Sequence, residues 1–199
     1  MSAPLVLASA SATRADMLRR AGVAVEILPA RVDEEEMKSA LRADRLNPRD
    51  QADALAEMKA VRVSARLPGA LVIGADQVLD FNGEAFDKPA DMQAARAQLL
   101  RLRGARHHLF SAAVIALDGA PIWRQIGRAT LTMRAFSDAF LDDYLAAMGE
   151  DALTTVGAYR IEDRGAALFT RIEGDWFSIL GLPLLELMAF LRTRGALSG

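Results

Sequence analysis

The sequence predicts an α/β fold: a twisted mixed sheet flanked by helices, with two lobes around a central cleft. Three observations predict it. Strand-like and helix-like segments are interleaved without a regular βαβ alternation, so parallel and antiparallel neighbours must share one sheet. The apolar run ALVIGAD at 70–76 reads as a buried strand delivering an acid at its C-terminal end. Asn82-Gly83, flanked by QVLDF and EAF, is a strong hairpin signal.

The elements follow in order. Pro4 to Ser9 is a short apolar strand, and Ser11 caps a helix (Met17, Leu18, Ala21) that stops at Gly22. The hydrophilic stretch from Asp33 to Gln51 reads as a mobile loop. A second helix is expected from Pro48, a residue favoured in the first turn, to Leu67, with Pro68-Gly69 as its stop. Asp91 caps a third helix with the stripe Met92, Ala95, Leu99 and Leu102, ending at Gly104. Two long strands, from about His107 to Leu117 and from about Ile122 to Phe136, are joined through Asp118-Gly119. Ser137 opens a helix that Gly149 closes. Strands around Ala158 to Ile161 and Ala167 to Ile172 precede a final helix from about Pro183 to Arg194. Residues 1–199 read as a single domain.

At 199 residues the chain buries roughly 70% of its unfolded surface, enough for a core without staples. There is no cysteine, which excludes disulfides, thiolate zinc sites and a cysteine nucleophile. The net charge of −2 argues against a broad surface for a nucleic-acid polymer. A small acidic ligand held by local cations is still allowed. No apolar stretch is long enough to span a membrane, and no secretory signal pattern is present. A soluble, cytoplasmic protein is expected.

Several residues carry chemistry by their placement. Leu55, Lys59 and Val63 lie four apart on the second helix, so the Lys59 ammonium shares an apolar stripe. Its head either snorkels to the rim or reaches a phosphate. Asp76 ends the apolar run, where open α/β sheets place their ligand crevice. It is either a turn cap or a carboxylate that holds a divalent cation or takes a proton from water. Glu34, in the run VDEEE, is a second such carboxylate or part of a solvated loop. Arg14 follows SASAT at a helix start, where unpaired N–H groups favour an anion; the alternative is an exposed first-turn residue. Lys88, before Pro89, reads by itself as a surface cation.

The sequence has no P-loop, no GxGxxG after a strand, no HExxH and no GxSxG. His107 and His108 are adjacent in a strand and point to opposite faces, so they do not chelate one metal together. Trp123 and Trp176 are expected to pack. Any chemistry therefore rests on carboxylates and cations.

Together the motifs resemble the Maf family of nucleoside triphosphate pyrophosphatases, associated with septum formation in bacteria. The matching pieces are LVLASASATRADML, VDE at 32–34, ALAEMKA around Lys59, VIGADQVL around Asp76, DKP at 87–89, GARHHLFSAAV, GAYRIEDRGAALFTRIEGD and GLPLLEL. The resemblance covers nearly the whole chain. It implies a fold related to the inosine triphosphate pyrophosphatases and hydrolysis of a nucleoside triphosphate to the monophosphate and pyrophosphate. It also implies a divalent cation, Mg²⁺ or Mn²⁺, held by Glu34 and Asp76. By the same resemblance Asp76 is the general base, and Arg14, Lys59 and Lys88 form the phosphate clamp with Ser9 and Ser11. Homodimer formation is carried over as an expectation.

For the base, Gln77 and Glu162 resemble the members associated with 7-methyl-GTP. A carboxylate at 162 accepts from guanine N1–H and N2–H₂ together, whereas a uracil or thymine edge presents one N–H between two carbonyls. Thr13 stands where that type carries Trp, and GAYRIED is nearer in its apolar residues to the dTTP/UTP type. A dTTP/UTP pyrophosphatase is therefore the alternative within the family. A non-hydrolysing nucleotide-binding regulator linked to cell division is the alternative outside enzymology.

Overall fold

The computed structural model describes residues 3–198. Strand β1 (Leu5–Leu7) lies between β2 (Glu26–Ile27) and β3 (Leu71–Phe81), parallel to both. β3 turns through Asn82 and Gly83, with φ of 56° and 85°, into β4 (Glu84–Phe86). The positive φ at both central residues is the hairpin geometry that Asn-Gly favours. β3 also pairs antiparallel with β5 (Arg106–Leu117), β5 with β6 (Ala120–Met133), and β6 with β7 (Phe169–Glu173). The sheet order is β2-β1-β3-β5-β6-β7, with β4 on β3.

One edge of β3 pairs with β5 from Val72 to Asp80. Its other edge pairs with β1 at Leu71–Ile73 and with β4 at Leu79–Phe81. Among the described residues, 74–78 have no strand partner on that side, and the sheet is open there. Asp76 therefore lies in the middle of a continuous strand rather than at a strand end, opposite the gap.

Side-chain alternation along β3 assigns the helices to two faces. Helix α3 (Pro48–Ser64), capped by Asn47, packs Ala52, Ala56 and Ala60 against Val78, Ala112 and Val114. The other face holds two apolar clusters. In one, α1 (Ala12–Arg20) and α7 (Leu184–Thr193) cover Leu5, Leu7, Ile73 and Ile115. In the other, α4 (Met92–Leu102) and α5 (Asp138–Met148) cover Leu79, Leu109 and Leu131. These are the two lobes, and β3 and β5 run through both. Ser11, Asp91 and Ser137 each accept an N–H of the following first turn, so these three predicted starts are helix caps.

Four local expectations are corrected. The stretch from Asp33 to Gln51 is not a loop: it contains helix α2 (Glu34–Ala43), with the Asp33 carboxylate accepting from the Glu36 N–H at 3.0 Å. Three glutamates in its first turn suit the helix dipole. Its charge hides it in the sequence: five of its ten residues are charged, and Met37 and Leu41 are its only large apolar residues. Residues Ala158 to Ile161 form no strand. Gly157 and Ala158 have φ of 79° and 58°, and the carbonyls of Ala158 and Tyr159 accept from the Tyr144 and Thr155 hydroxyls instead of a ladder. The second helix ends at Ser64 rather than Leu67. Trp176 opens the short α6 (Trp176–Ile179) and is 48% exposed, whereas Trp123 stacks on Phe190 as a packing residue should. Among the described residues no helix is long and apolar enough to cross a membrane.

Candidate active site

The gap beside β3 opens into a cleft of about 510 Å³. Asp76 points to the α3 face, where Lys59 faces it. The ammonium lies 2.7 Å from Asp76 Oδ1 and 2.9 Å from Glu34 Oε1. Lys59 is 5% and Asp76 8% exposed, so this is a nearly desolvated pair rather than a rim contact. The helical stripe explains both facts: the Lys59 stem packs among Leu55 and Val63 while its head enters the cleft. Glu34 reaches the pair from the first turn of α2. Burial works against its ionisation, but the hydrogen bond and charge of Lys59, with the charges of Lys38 and Lys88, outweigh it and lower its pKa.

Arg14 is buried, not an exposed first-turn residue. Its Nε donates to the Gly181 carbonyl at 2.8 Å, and Nη1 donates to Ser9 Oγ and to the Ala75 carbonyl, each at 3.1 Å. Burial lowers its pKa, opposed by attraction to Asp76 and Glu34. Ser9 Oγ also accepts from the Ser11 N–H, and Ser11 Oγ from the Arg14 N–H. The two serines thus shape the loop that brings the α1 N-terminus to the cleft, where first-turn N–H groups lack helical partners. Lys88 is exposed on the opposite wall and has no ion-pair partner among the described residues.

Gln77 points to the other face of β3, between the two apolar clusters. Its amide nitrogen donates to Ser111 Oγ at 2.9 Å and to the carbonyls of Ile179 at 3.0 Å and Ser178 at 3.3 Å. That leaves its carbonyl oxygen as the group it can offer a ligand. Gln77 and Thr13 line both the main cleft and a side recess of about 60 Å³. Glu162 lines only the recess, together with Tyr159, Ile161 and Arg160, and Arg160 Nε lies 3.4 Å from its Oε1. Asp76, Glu34, Lys59, Lys88, Arg14, Ser9, Ser11, Thr13 and Gln77 therefore share one cleft, and Glu162 stands in the adjoining recess.

Sequence reasoning missed Lys38, Arg42, Asp87 and Arg160 as cleft residues. Lys38 and Arg42 sit four apart on α2, a spacing visible only once that stretch is recognised as a helix. Asp87, between β4 and Lys88, takes an ion pair from each of them, at 3.2 and 2.6 Å.

Two carboxylates, Glu34 and Asp76, are the candidate metal ligands. Lys59 occupies one oxygen of each, and the second oxygen of each has no protein partner among the described residues. No group of three or more His, Asp or Glu ligands is present among the described residues. Two carboxylates completed by phosphate oxygens and water is nevertheless the usual donor set for Mg²⁺. The residues fit an ion that arrives with a polyphosphate.

Behind the recess, His107 Nε2 and the Tyr159 hydroxyl are 2.8 Å apart, and His107 Nδ1 is buried without a partner. Burial, with some repulsion from His108, lowers the His107 pKa from 6.5 to about 4. The unfolded chain then binds a proton that the folded one refuses between these values, so stability falls as the pH drops through that window, by about 3 kcal/mol. Urea unfolding followed against pH measures it. His107→Gln is expected to flatten the loss between pH 6.5 and 4, and an unchanged slope would remove His107 as its cause.

A profile of the family described as Maf-like protein matches residues 4–194. The chain is 54% identical, over 98% of both sequences, to a protein of Caulobacter vibrioides named nucleoside triphosphate pyrophosphatase. It is 56% identical to one of the same name from Paramagnetospirillum magneticum, over 96% of this chain and 99% of the relative. It is 50% identical, over the whole of both, to a protein of Mesorhizobium japonicum named 7-methyl-GTP pyrophosphatase. A family profile spanning nearly the whole length and relatives at this identity leave one conclusion: the chain belongs to the Maf-like protein family.

Proposed function

We propose that the chain is a nucleoside triphosphate pyrophosphatase, which hydrolyses the bond between the α and β phosphates to give a nucleoside monophosphate and pyrophosphate. The observation that carries this is the nearly buried Lys59 between Asp76 and Glu34 at the floor of a cation-lined cleft. The names of the relatives support the same reaction. Arg14, Lys59 and Lys88 hold the phosphates, helped by the Ser9–Ser11 loop and the α1 N-terminus. Asp76 accepts a proton from the attacking water as its oxygen bonds to the α phosphorus. The bridging bond to the β phosphate breaks, and pyrophosphate leaves with the electron pair. Lys59 stays beside Asp76 throughout and offsets the negative charge that the phosphates bring toward the carboxylates. Glu34 and Asp76 would hold a divalent cation, which supplies charge neutralisation on the leaving group.

Among the described residues, six cations and four carboxylates line the cleft, which lets a weakly acidic chain receive a polyanion locally. For the base, we infer a preference for 7-methyl-GTP. Glu162 and the free carbonyl of Gln77 present acceptors to a guanine edge, and the name of the Mesorhizobium relative supports the same base. A cytoplasmic enzyme working as a homodimer completes the proposal.

The test is pyrophosphate release from 7-methyl-GTP, GTP, dTTP, UTP, CTP and ITP with Mg²⁺ or Mn²⁺, for the wild type and Glu162→Gln. The expected result is 7-methyl-GTP first, and a shift of about tenfold in kcat/KM toward dTTP and UTP in the variant. A lead for dTTP or UTP in the wild type overturns the base assignment and keeps the reaction. No hydrolysis of any triphosphate overturns the reaction in favour of a nucleotide-binding regulator.

A further inference from the structure

Helix α2 is held to the rest of the chain by a narrow apolar side and by three ion pairs. None of its ten residues is fully buried; Met37, Lys38 and Leu41 are half-buried and face the body. Three side chains on it reach across the cleft wall: Glu34 to Lys59, and Lys38 and Arg42 to Asp87. Asp87 gives one oxygen to each cation, Oδ1 to Lys38 at 3.2 Å and Oδ2 to Arg42 at 2.6 Å. A lysine and an arginine one turn apart, converging on the two oxygens of a single anion, is also how a phosphate is held. All three side chains line the cleft beside Lys88.

We propose that Lys38 and Arg42 are further substrate-binding residues for the terminal phosphates, and that Asp87 holds them as a surrogate anion until a polyphosphate arrives. The proposal rests on the cleft being a triphosphate site and adds to it two cations and a competing carboxylate. Lys38 also pairs with Glu35 at 3.1 Å, so without Asp87 it is Arg42 that loses its one ion-pair partner among the described residues, and its repulsion with Lys38 is less offset. A phosphate group brings more charge and more acceptor oxygens than one carboxylate, so both cations gain by the exchange. The Gln98 amide donates to the Asp87 carbonyl at 2.9 Å and pins the backbone. The aspartate side chain is then the part that gives way, and the loop bearing Lys88 stays in place. A nucleoside monophosphate, lacking the outer phosphates, leaves the Asp87 contacts intact.

The experiment is calorimetric binding of inorganic tripolyphosphate to the full chain and to Asp87→Asn, Lys38→Met and Arg42→Met, with a nucleoside monophosphate as control. Asp87→Asn is expected to bind tripolyphosphate about tenfold more tightly, and each cation variant about tenfold more weakly. Monophosphate affinity stays within about twofold in all of them. The gain in Asp87→Asn is decisive when it is lost again on adding Arg42→Met, because removing a cleft carboxylate by itself strengthens the attraction for any polyanion. Unchanged or weaker binding in Asp87→Asn overturns the competition. Unchanged binding in both cation variants overturns their role. Tripolyphosphate binding needs no turnover, so a chain with this variant pattern that hydrolyses nothing sinks the proposed reaction but not the exchange. Hydrolysis without the pattern does the reverse.

Discussion

Asp76→Asn is expected to lower kcat by about two to four orders of magnitude, the range for loss of a general base, with equilibrium affinity for the triphosphate, measured without divalent cation, nearly unchanged. The side chain lies in the middle of β3, on the face covered by α3, with Lys59 Nζ 2.7 Å from Oδ1. An asparagine oxygen still accepts from that ammonium, so Lys59 keeps its place and the shape of the cleft is kept. What disappears is the ability to take a proton from water. On the proposed reading the phosphates stay held by Arg14, Lys59 and Lys88, so affinity is preserved while turnover is lost. Pyrophosphate release and calorimetric binding, measured on the same preparation, separate the two. Wild-type turnover in a preparation free of contaminating enzyme would take the base role away from Asp76. Loss of binding with loss of turnover would instead make it a ground-state ligand.

Gly74→Ala carries the largest expected effect on folding. A Cβ at this position would lie 2.1 Å from the Ala56 carbonyl oxygen, 2.6 Å from the Ala60 nitrogen and 2.8 Å from the Ala60 Cβ. Two of these are backbone atoms inside the hydrogen-bonded run of α3, so no rotamer change relieves the clash and the helix must back away from β3. A loss of about 3 kcal/mol is expected, or a melting temperature lower by about 6–12 °C for a chain of this size. The functional consequence follows from where Lys59 sits, next to Ala60 on the same helix. Displacing α3 lengthens the Lys59–Asp76 contact, so the folded fraction should also turn over more slowly. Urea unfolding reads the first effect and single-turnover rates on folded protein the second. A variant with unchanged stability would mean that α3 and β3 are not in the close contact that builds the site.

The helix caps, the two hairpin turns and the apolar stripes were legible because each is an interaction among residues three or four apart. Ser11, Asp91 and Ser137 bond to the N–H of Arg14, Ala94 and Phe140 within their own segments. Helix α2 was hidden because five of its ten residues are charged and its narrow apolar side holds only Met37 and Leu41 as large residues, while Arg42 bonds to Asp87, more than forty residues away. Ala158 to Ile161 read as a strand because Tyr159 and Ile161 alternate with polar residues. The strand is cancelled by the left-handed backbone at Gly157 and Ala158, by the Thr155 hydroxyl donating to the Tyr159 carbonyl, and by the Tyr144 hydroxyl, from α5, donating to the Ala158 carbonyl.

For the site, the chain by itself determined which chemistry is available: carboxylates and cations, no thiol, an acid in an apolar strand and a lysine in an apolar helical stripe. Only the tertiary structure decided that these meet. Lys59 touches Asp76 because Gly74 lets α3 approach β3 closely, and the strand edge beside Asp76 is open because β1 ends before it and β4 pairs beyond it. Glu34 completes the group only because α2 folds back over α3. Long-range pairing of this kind depends on shape and closure rather than on local spacing, which is why sequence positions 34, 59 and 76 converge only in the folded chain.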